Sequence, residues 1–215
     1  MFFTVGNLLR LMKSFRSLRM SVSGRMPGQI TNNSEGITTM RLREYRKEDA
    51  EIICSWIRDE KSLYQWSADR IGVFPVSGDD LNRNYGPFLA SDRFIPLTAV
   101  DSSERVTGHL FIRYPDANDR TRVRFGFVII DPAIRGCGKG KEMLEKAIDY
   151  AQNVLQAETV TLGVFANNPA AKHCYESVGF RPVGENIFYQ MTIGRWECIE
   201  MALALRSAGA AGQEK

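Results

Sequence analysis

A glycine-rich junction between an apolar strand and an amphipathic helix is the feature that most constrains this chain. The run RFGFVII (residues 124–130) is typical of a buried strand, and KEMLEKAIDYA (141–151) has apolar residues on one face of a helix. Between them, IRGCGKGK (134–141) combines three glycines with three cations. Glycines let a backbone come close to a ligand, and free N–H groups at a helix start point at an anion. The junction therefore predicts a strand–loop–helix unit whose loop binds phosphate.

Spacing excludes two familiar phosphate loops. The nucleotide P-loop requires Gly where Arg135 stands and Ser or Thr where Glu142 stands. The dinucleotide fingerprint requires Gly where Lys141 or Met143 stands. The pattern that remains is Arg-x-x-Gly-x-Gly, formed by Arg135, Gly138 and Gly140.

Composition suits one globular domain. The chain has 215 residues, 44% of them hydrophobic and 25% charged. Its four cysteines lack the spacing of a metal site or a disulfide framework, so we expect no metal and a reducing, cytoplasmic setting. Residues 40–204 hold 21 of the 28 Lys and Arg and 23 of the 25 Asp and Glu. This near-neutral body does not favour nucleic acid as a partner, and no apolar run reaches the roughly 18 residues of a membrane span.

The two ends differ from the body. Residues 1–39 begin with a cationic, weakly amphipathic stretch and continue in Ser, Gly and Asn. We interpret them as a disordered or dispensable extension before a domain that opens at Met40, with an organelle-targeting presequence or a membrane-surface helix as alternatives. Residues 205–215 are predicted to be a disordered tail. The domain prediction is therefore one domain over residues 40–204.

The body predicts an α/β (α+β) fold with one mixed sheet. The patterns run strand, two helices, three strands, helix, strand, helix and two strands, which gives a seven-stranded sheet flanked by about four helices. The first helix is predicted over residues 48–60 and the aromatic-rich segment 62–78 as a loop. The run TVTLGVFA (159–166) is typical of a strand covered on both faces, as in the parallel centre of a sheet. The last two strands form a hairpin around Gly194.

Two segments resemble the GNAT superfamily of acyl-CoA-dependent N-acyltransferases. RFGFVIIDPAIRGCGKGKEML (124–144) resembles the family's strand–loop–helix cofactor motif, and LGVFANNPAAKHCYESVGF (162–180) resembles its later strand–helix motif. The resemblance covers most of residues 40–204, and the layout is similar to ribosomal-protein N-terminal acetyltransferases and their small-molecule relatives. It implies a single GNAT-type domain that moves acetyl from acetyl-CoA to a primary amine, on a small molecule or a protein N-terminus.

The resemblance also implies where coenzyme A binds. The cofactor strand splays from its parallel neighbour, the pantetheine arm fits the gap, and the glycine loop holds the pyrophosphate. A backbone N–H at the splay would polarise the thioester carbonyl. Asn168 would bond the amide arm, and it also suits a helix N-cap. The cofactor-binding residues so implied are Phe127, Val128, Ile129, Ile130, Arg135, Gly136, Cys137, Gly138, Lys139, Gly140, Lys141 and Asn168.

Tyr175 is the implied catalytic acid, because the family commonly places a tyrosine four residues before its Gly-Phe pair. Its phenol would protonate the departing thiolate. The alternative is a tyrosine that packs a helix against the sheet. Cys137 and Cys174 flank the implied site, but no histidine is placed to pair with either thiol. We therefore expect direct attack of the amine in a ternary complex rather than an acyl-enzyme.

The general base and the acceptor residues are less defined. Many relatives carry an acid near the positions of Arg124 and Phe125, and this chain has none there. Glu197, Glu200, Asp69 or a backbone-held water are the alternatives. For the acceptor, Tyr64 and Trp66 form a candidate aromatic wall with Asp69 attracting an ammonium group, and Glu197 faces it from the last strands. Phe74 and Tyr85 are further candidates for the wall, and packing of these aromatics on the core is the competing interpretation.

The missing acid also leaves a second class of function open. A non-catalytic acyl-CoA-binding sensor or interaction module would keep the loop without turnover. Assembly into a homodimer is a further open expectation.

Overall fold

A computed structural model describes residues 39–205, and the predictions for residues 1–38 and 206–215 lie outside this part. The described chain forms eight strands and five helices. The strands are β1 (Arg41–Glu44), β2 (Phe94–Val100), β3 (Val106–Arg113), β4 (Arg122–Ile130), β5 (Thr159–Phe165), β6 (Arg181–Pro182), β7 (Ile187–Met191) and β8 (Gly194–Ala204). The helices are α1 (Asp49–Ser55), α2 (Glu60–Ser67), α3 (Gly78–Tyr85), α4 (Lys139–Asn153) and α5 (Pro169–Ser177).

The strands form one mixed sheet in the order β1-β2-β3-β4-β5-β8-β6, and β7 also pairs with β8. Neighbours are antiparallel except for β4 and β5 at the centre, which are parallel. The predicted α/β class with a parallel centre is confirmed. The sheet has eight strands rather than seven, because the segment predicted as the first strand of the final hairpin divides into β6 and β7. Pro182 cannot donate to a ladder, and Gly184 turns the chain at a φ of 67°.

The prediction of one helix over 48–60 followed by a loop was wrong. Helix α1 ends at Ser55, and a separate helix α2 begins at Glu60 and continues to Ser67, within the segment predicted to be a loop. The cause is a reciprocal cap, in which the Asp59 carboxylate accepts from the Ser62 N–H at 2.6 Å and the Ser62 hydroxyl bonds back to the Asp59 N–H. Residues 62–67 of the supposed loop therefore belong to a helix beside the sheet.

The hydrophobic core lies on both faces of the sheet. On one face, apolar residues of α4 and α5 pack against the inner strands around Phe125 and Leu162. On the other face, α1, α2 and α3 pack against β3 and β4 around Phe111 and Phe127. No helix among residues 39–205 combines the length and apolarity needed to cross a membrane. The two layers hold β4 from both sides, which fixes the strand that builds the site.

Candidate active site

The central parallel strands part after a short stretch of pairing. Strand β4 pairs with β5 only from Arg122 to Arg124, opposite Thr159 to Thr161. Beyond this point β5 continues to pair with β8 as far as Phe165, whereas β4 continues along β3 to Ile130. A gap therefore opens between β4 and β5 that exposes backbone groups of both strands. Unpaired backbone N–H and C=O groups need partners, so such a gap suits a ligand that forms strand-like hydrogen bonds.

A bulge shapes β4 at this gap. Between the pairs His109–Ile129 and Phe111–Gly126, β4 carries one more residue than β3. Phe127 lies in the bulge with a φ of 51°, a conformation uncommon for a bulky residue. Its ring is buried against other aromatic rings on the face of the sheet that α1, α2 and α3 cover. The packed ring anchors the strained residue.

The glycine loop ends the gap at the start of α4. Gly136 and Gly138 have φ values of 78° and 74°, and a Cβ at either would meet no atom within 4 Å. Both glycines are therefore required by backbone conformation and leave the loop surface open. The first helical hydrogen bond runs from the Glu142 N–H to the Gly138 carbonyl at 3.0 Å. The N–H groups before Glu142 in this first turn have no carbonyl within the helix, which is the arrangement that binds anions.

The cationic side chains at the loop differ in the partners they bind. The Arg135 Nε donates to the Ile130 carbonyl at 3.2 Å, which ties the loop to the end of β4. Burial lowers the pKa of Arg135, and the nearby Arg58 lowers it further. The Lys139 ammonium instead binds the Glu142 carboxylate at 2.8 Å. An anion at this place would therefore meet Arg135 more directly than Lys139.

These elements enclose a cavity of about 850 Å³. It is large enough for an extended cofactor arm rather than a small metabolite alone. The structure brings most of the expected cofactor residues to its lining, while Cys137 and Lys139 lie outside the lining. The expected residues that do line it are Phe127, Val128, Ile129, Ile130, Arg135, Gly136, Gly138, Gly140, Lys141, Asn168 and Tyr175.

Helix α5 contributes the polar groups on the opposite wall. Asn168 caps α5 by accepting from the Ala171 N–H at 3.2 Å, and it also lines the cavity. The cap occupies the side-chain oxygen, so the amide NH₂ group remains to donate to a ligand. Tyr175 is buried and lines the same cavity. Burial raises the pKa of Tyr175, so its phenol stays protonated and able to donate.

The cysteine that lines the cavity is a poor nucleophile. Cys174 lines the cavity, and burial raises the pKa of its thiol. A raised pKa disfavours the reactive thiolate. His173 also lines the cavity, a position that could not be predicted from its place in the sequence.

The residues expected to bind the acceptor are dispersed. Trp66 lines the cavity, and its ring centroid lies 5.1 Å from that of Phe127. Tyr64 is buried, with its hydroxyl 2.6 Å from the Thr192 hydroxyl. Asp69 is exposed, and the Glu197 carboxylate accepts a hydrogen bond from the Asn186 amide. Neither residue lines the cavity. Of the four candidates, the structure therefore brings only Trp66 to the site.

Tyr85 and Phe74 also lie elsewhere. Tyr85 is buried, with its hydroxyl 2.7 Å from the His109 Nε2, and Phe74 is exposed.

The turn between α1 and α2 brings Arg58, Asp59 and Ser62 to the cavity, none of which the sequence singled out. The cap of α2 places them there, so the Asp-x-x-Ser spacing could have indicated them.

The carboxylates considered as the general base are either held in an ion pair or lie outside the cavity. Glu200 forms a two-point ion pair with Arg124, with N–O distances of 2.6 and 2.9 Å. Burial opposes the charge of Arg124, but the bonds from Glu200 outweigh this effect and raise the Arg124 pKa. A carboxylate held in this way is a weak proton acceptor. Glu200 does not line the cavity, and among residues 39–205 Asp59 is the one Asp or Glu that does.

A cavity of this size, with an open glycine loop at one end and a buried phenol beside it, fits an extended pyrophosphate-bearing acyl carrier. It defines an acyltransferase that takes its donor group from coenzyme A. The model of the acetyltransferase (GNAT) family matches residues 44–180, and the chain belongs to this family. It is an N-acetyltransferase that uses acetyl-CoA.

Curated relatives and solved structures agree with this assignment. The chain is 30% identical over 168 residues to spermidine N(1)-acetyltransferase of Vibrio cholerae, covering 78% of this chain and 94% of that protein. It is 24% identical over 147 residues to the peptidyl-lysine N-acetyltransferase YjaB of Escherichia coli, covering 67% of this chain and 83% of that protein. The structure of the Vibrio cholerae spermidine enzyme with CoA and spermine superposes with a TM-score of 0.66 at 21% identity, over 77% and 95% of the two chains. The fold is therefore shared.

Proposed function

We propose that the chain acetylates a primary amine by direct attack within a ternary complex. The backbone of Phe127 to Ile130 would bind the pantetheine arm of acetyl-CoA in the gap, and the glycine loop would bind the pyrophosphate. The observation that carries this proposal is that the gap, the loop and Tyr175 line one continuous cavity. The spermidine and peptidyl-lysine relatives also act on primary amines.

The transfer forms one bond and breaks one. The amine nitrogen bonds to the acetyl carbon, and the carbon–sulfur bond breaks with its electron pair on sulfur. We assign the stabilisation of charge on the acetyl oxygen to backbone N–H at the β4 bulge, where Phe127 holds the strand open. Tyr175 gives its phenolic proton to the sulfur. The nitrogen loses its proton to water, because Glu200 is held by Arg124, and the phenolate is reprotonated from solvent.

A tyrosine-to-phenylalanine pair tests the acid. Replacing Tyr175 by Phe removes the proton donor but keeps the packed ring, so kcat should fall by about 10²- to 10⁴-fold while the acetyl-CoA dissociation constant stays within about twofold. Tyr150→Phe is the matched control, since Tyr150 is a half-buried tyrosine of α4 outside the cavity. Turnover that is equal in the two variants would remove Tyr175 from this role.

A binding measurement separates the enzyme from a sensor. Isothermal titration of the full chain with acetyl-CoA, combined with detection of free CoA in the presence of an amine, reports both events on one sample. Tight binding without CoA release in the presence of any amine would favour a sensor or interaction module.

We also propose a cytoplasmic homo-oligomer. All four cysteines are free thiols, which suits a reducing compartment. Phe188 and Ile187 are exposed apolar residues of β7, and exposed apolar side chains on a surface strand suit contact with another copy. A solved structure of the Vibrio cholerae enzyme is described as dodecameric. Light scattering on the purified chain tests assembly, and a monomer at all concentrations would contradict it.

A further inference from the structure

A second cavity lies behind the β4–β5 gap. It measures about 90 Å³ and shares several lining residues with the larger cavity. Gln65 and Trp66 of α2, Gly126 and Phe127 of β4 and Gly163 of β5 line both. Because the two cavities meet at the bulge, the smaller one lies where an acceptor would approach the donor carbonyl from the other side of the sheet.

The smaller cavity is cationic. Arg70, Arg113 and Arg124 line it, and no Asp or Glu of residues 39–205 does. Arg70 follows α2, while Arg113 and Arg124 come from adjacent strands of the sheet. An ammonium group on an acceptor would meet repulsion here, whereas an anion would be attracted.

Two of these arginines stand directly opposite each other. Arg113 of β3 and Arg124 of β4 are partners in the antiparallel register, so their side chains share one face of the sheet. Like charges at such positions destabilise a strand pair. Glu200 reaches over Gly163 to neutralise Arg124, since a Cβ at Gly163 would lie 3.0 Å from the Arg124 guanidinium.

Arg113 has no such partner. No acidic oxygen of residues 39–205 lies within 4.0 Å of its guanidinium. Burial lowers the pKa of Arg113, and the charges of Arg124 and Arg70 lower it further, while the more distant charge of Glu200 opposes this shift. A half-buried guanidinium in this setting costs stability unless an anion satisfies it. Arg113 therefore lacks a direct ion-pair partner, and an anionic ligand on this face would supply one.

We propose that the acceptor is a primary amine that also carries a carboxylate, and that Arg113, assisted by Arg70, binds this carboxylate. The inference rests on the proposed function, since it places the amine at the β4 bulge. Phe127 lies three positions after Arg124, the partner of Arg113, which corresponds to about 10 Å along the strand. A tripeptide spans the same length, so the fitting acceptor has its amine and carboxylate about 10 Å apart.

Matched peptides test the charge requirement. The purified full chain is incubated with acetyl-CoA and either triglycine or triglycine amide, which differ only in the terminal charge. Gly-Asp-Gly amide and Gly-Asn-Gly amide form a second pair, which distinguishes a side-chain carboxylate from a terminal one. Spermidine supplies a polyamine without an anion. We expect kcat/KM for at least one carboxylate-bearing peptide to exceed that of its neutral partner by about tenfold or more.

Variants assign the discrimination to residues. Arg113→Met and Arg70→Met should each reduce the ratio of kcat/KM within the preferred pair, with the larger loss, about tenfold, for Arg113→Met. Arg70 is exposed, so its variant folds independently of core packing. Arg83→Met is the matched control, because Arg83 pairs with Asp80 on the surface outside both cavities. Acetyl-CoA binding by calorimetry verifies the fold of every variant.

The outcomes separate this inference from the proposed function. Equal or faster acetylation of the amides or of spermidine would overturn the carboxylate requirement and leave the acetyl transfer standing. If no amine reacts, the proposed function fails, and binding of N-acetyltriglycine and its amide to the CoA-loaded protein decides the inference alone. Tighter binding of the carboxylate form, lost in Arg113→Met, supports it. Equal binding of both forms, or binding of neither, overturns it.

Discussion

A buried histidine should make this fold sensitive to mild acid. His109 lies on β3 directly opposite Ile129 of β4, and it is fully buried with its Nε2 2.7 Å from the Tyr85 hydroxyl. Burial lowers the pKa of His109 from 6.5 to about 3. The folded protein therefore keeps the ring neutral at a pH where the unfolded chain already binds a proton.

The size of the effect follows from the two pKa values. The stabilising contribution is present in full above pH 6.5 and is lost progressively as the pH falls from 6.5 to about 3. At about pH 5 the loss is about 2 kcal/mol, since each pH unit below the unfolded pKa costs about 1.4 kcal/mol. Asp49 adds a further loss at lower pH. Burial opposes its ionised form, but hydrogen bonds from Arg43, the Arg46 N–H and Thr98 outweigh burial and lower its pKa.

Urea unfolding of wild type and His109→Gln at about pH 7.5 and pH 5 isolates the histidine. The Gln side chain can place a polar nitrogen near the Tyr85 hydroxyl but does not titrate, and both proteins retain Asp49. The wild type should lose about 2 kcal/mol more than the variant between the two pH values. Parallel losses within about 0.5 kcal/mol would refute the assignment of a neutral, buried His109.

Two further pairs of variants test the glycine loop and the most buried ion pair of residues 39–205, Arg43–Asp49. Gly138→Glu should weaken acetyl-CoA binding by about 100-fold, because it adds a negative charge at the anion site, whereas Gly184→Glu, at an exposed position with a similar φ of 67°, should cost a comparable backbone strain and leave the dissociation constant unchanged. Calorimetric titration measures both, and equal affinity in the two variants would contradict the assignment of the loop. Arg43→Met leaves Asp49 buried without its ion-pair partner and should destabilise the fold by about 3–5 kcal/mol. Arg41→Met breaks an exposed pair and should cost less than about 1 kcal/mol, so equal urea midpoints would contradict the difference.

Much of the site could be predicted because its residues are close together in sequence. The loop from Arg135 to Lys141 is one segment, and its glycines indicate the positive φ that the structure has at Gly136 and Gly138. The apolar pattern of β5 indicated a strand covered on both faces, and the parallel pairing with β4 follows from it.

The acceptor side could not be predicted in the same way, because it depends on register between distant segments. Nothing in the sequence shows that Arg113 faces Arg124, or that Glu200 reaches Arg124 over Gly163. A register shift of one residue would turn the side chains to the other face. Tyr64 was predicted to be near the acceptor from its aromatic neighbours, but the helix formed by the Asp59 cap turns it into the core. Helical periodicity, rather than composition, decides which aromatic faces a cavity.

The central claim is that this cavity transfers acetyl from acetyl-CoA to an amine, and a mass-spectrometric screen tests it most directly. The purified chain is incubated with acetyl-CoA and pooled polyamines, amino acids, aminoglycosides and peptides with free N-termini, and acetylated products and free CoA are quantified together. The account predicts an acetylated primary amine formed in equal amount to free CoA, with no acetyl group retained on the protein. Protein that binds acetyl-CoA but yields no acetylated amine, or that carries the acetyl group on Cys174, would contradict it.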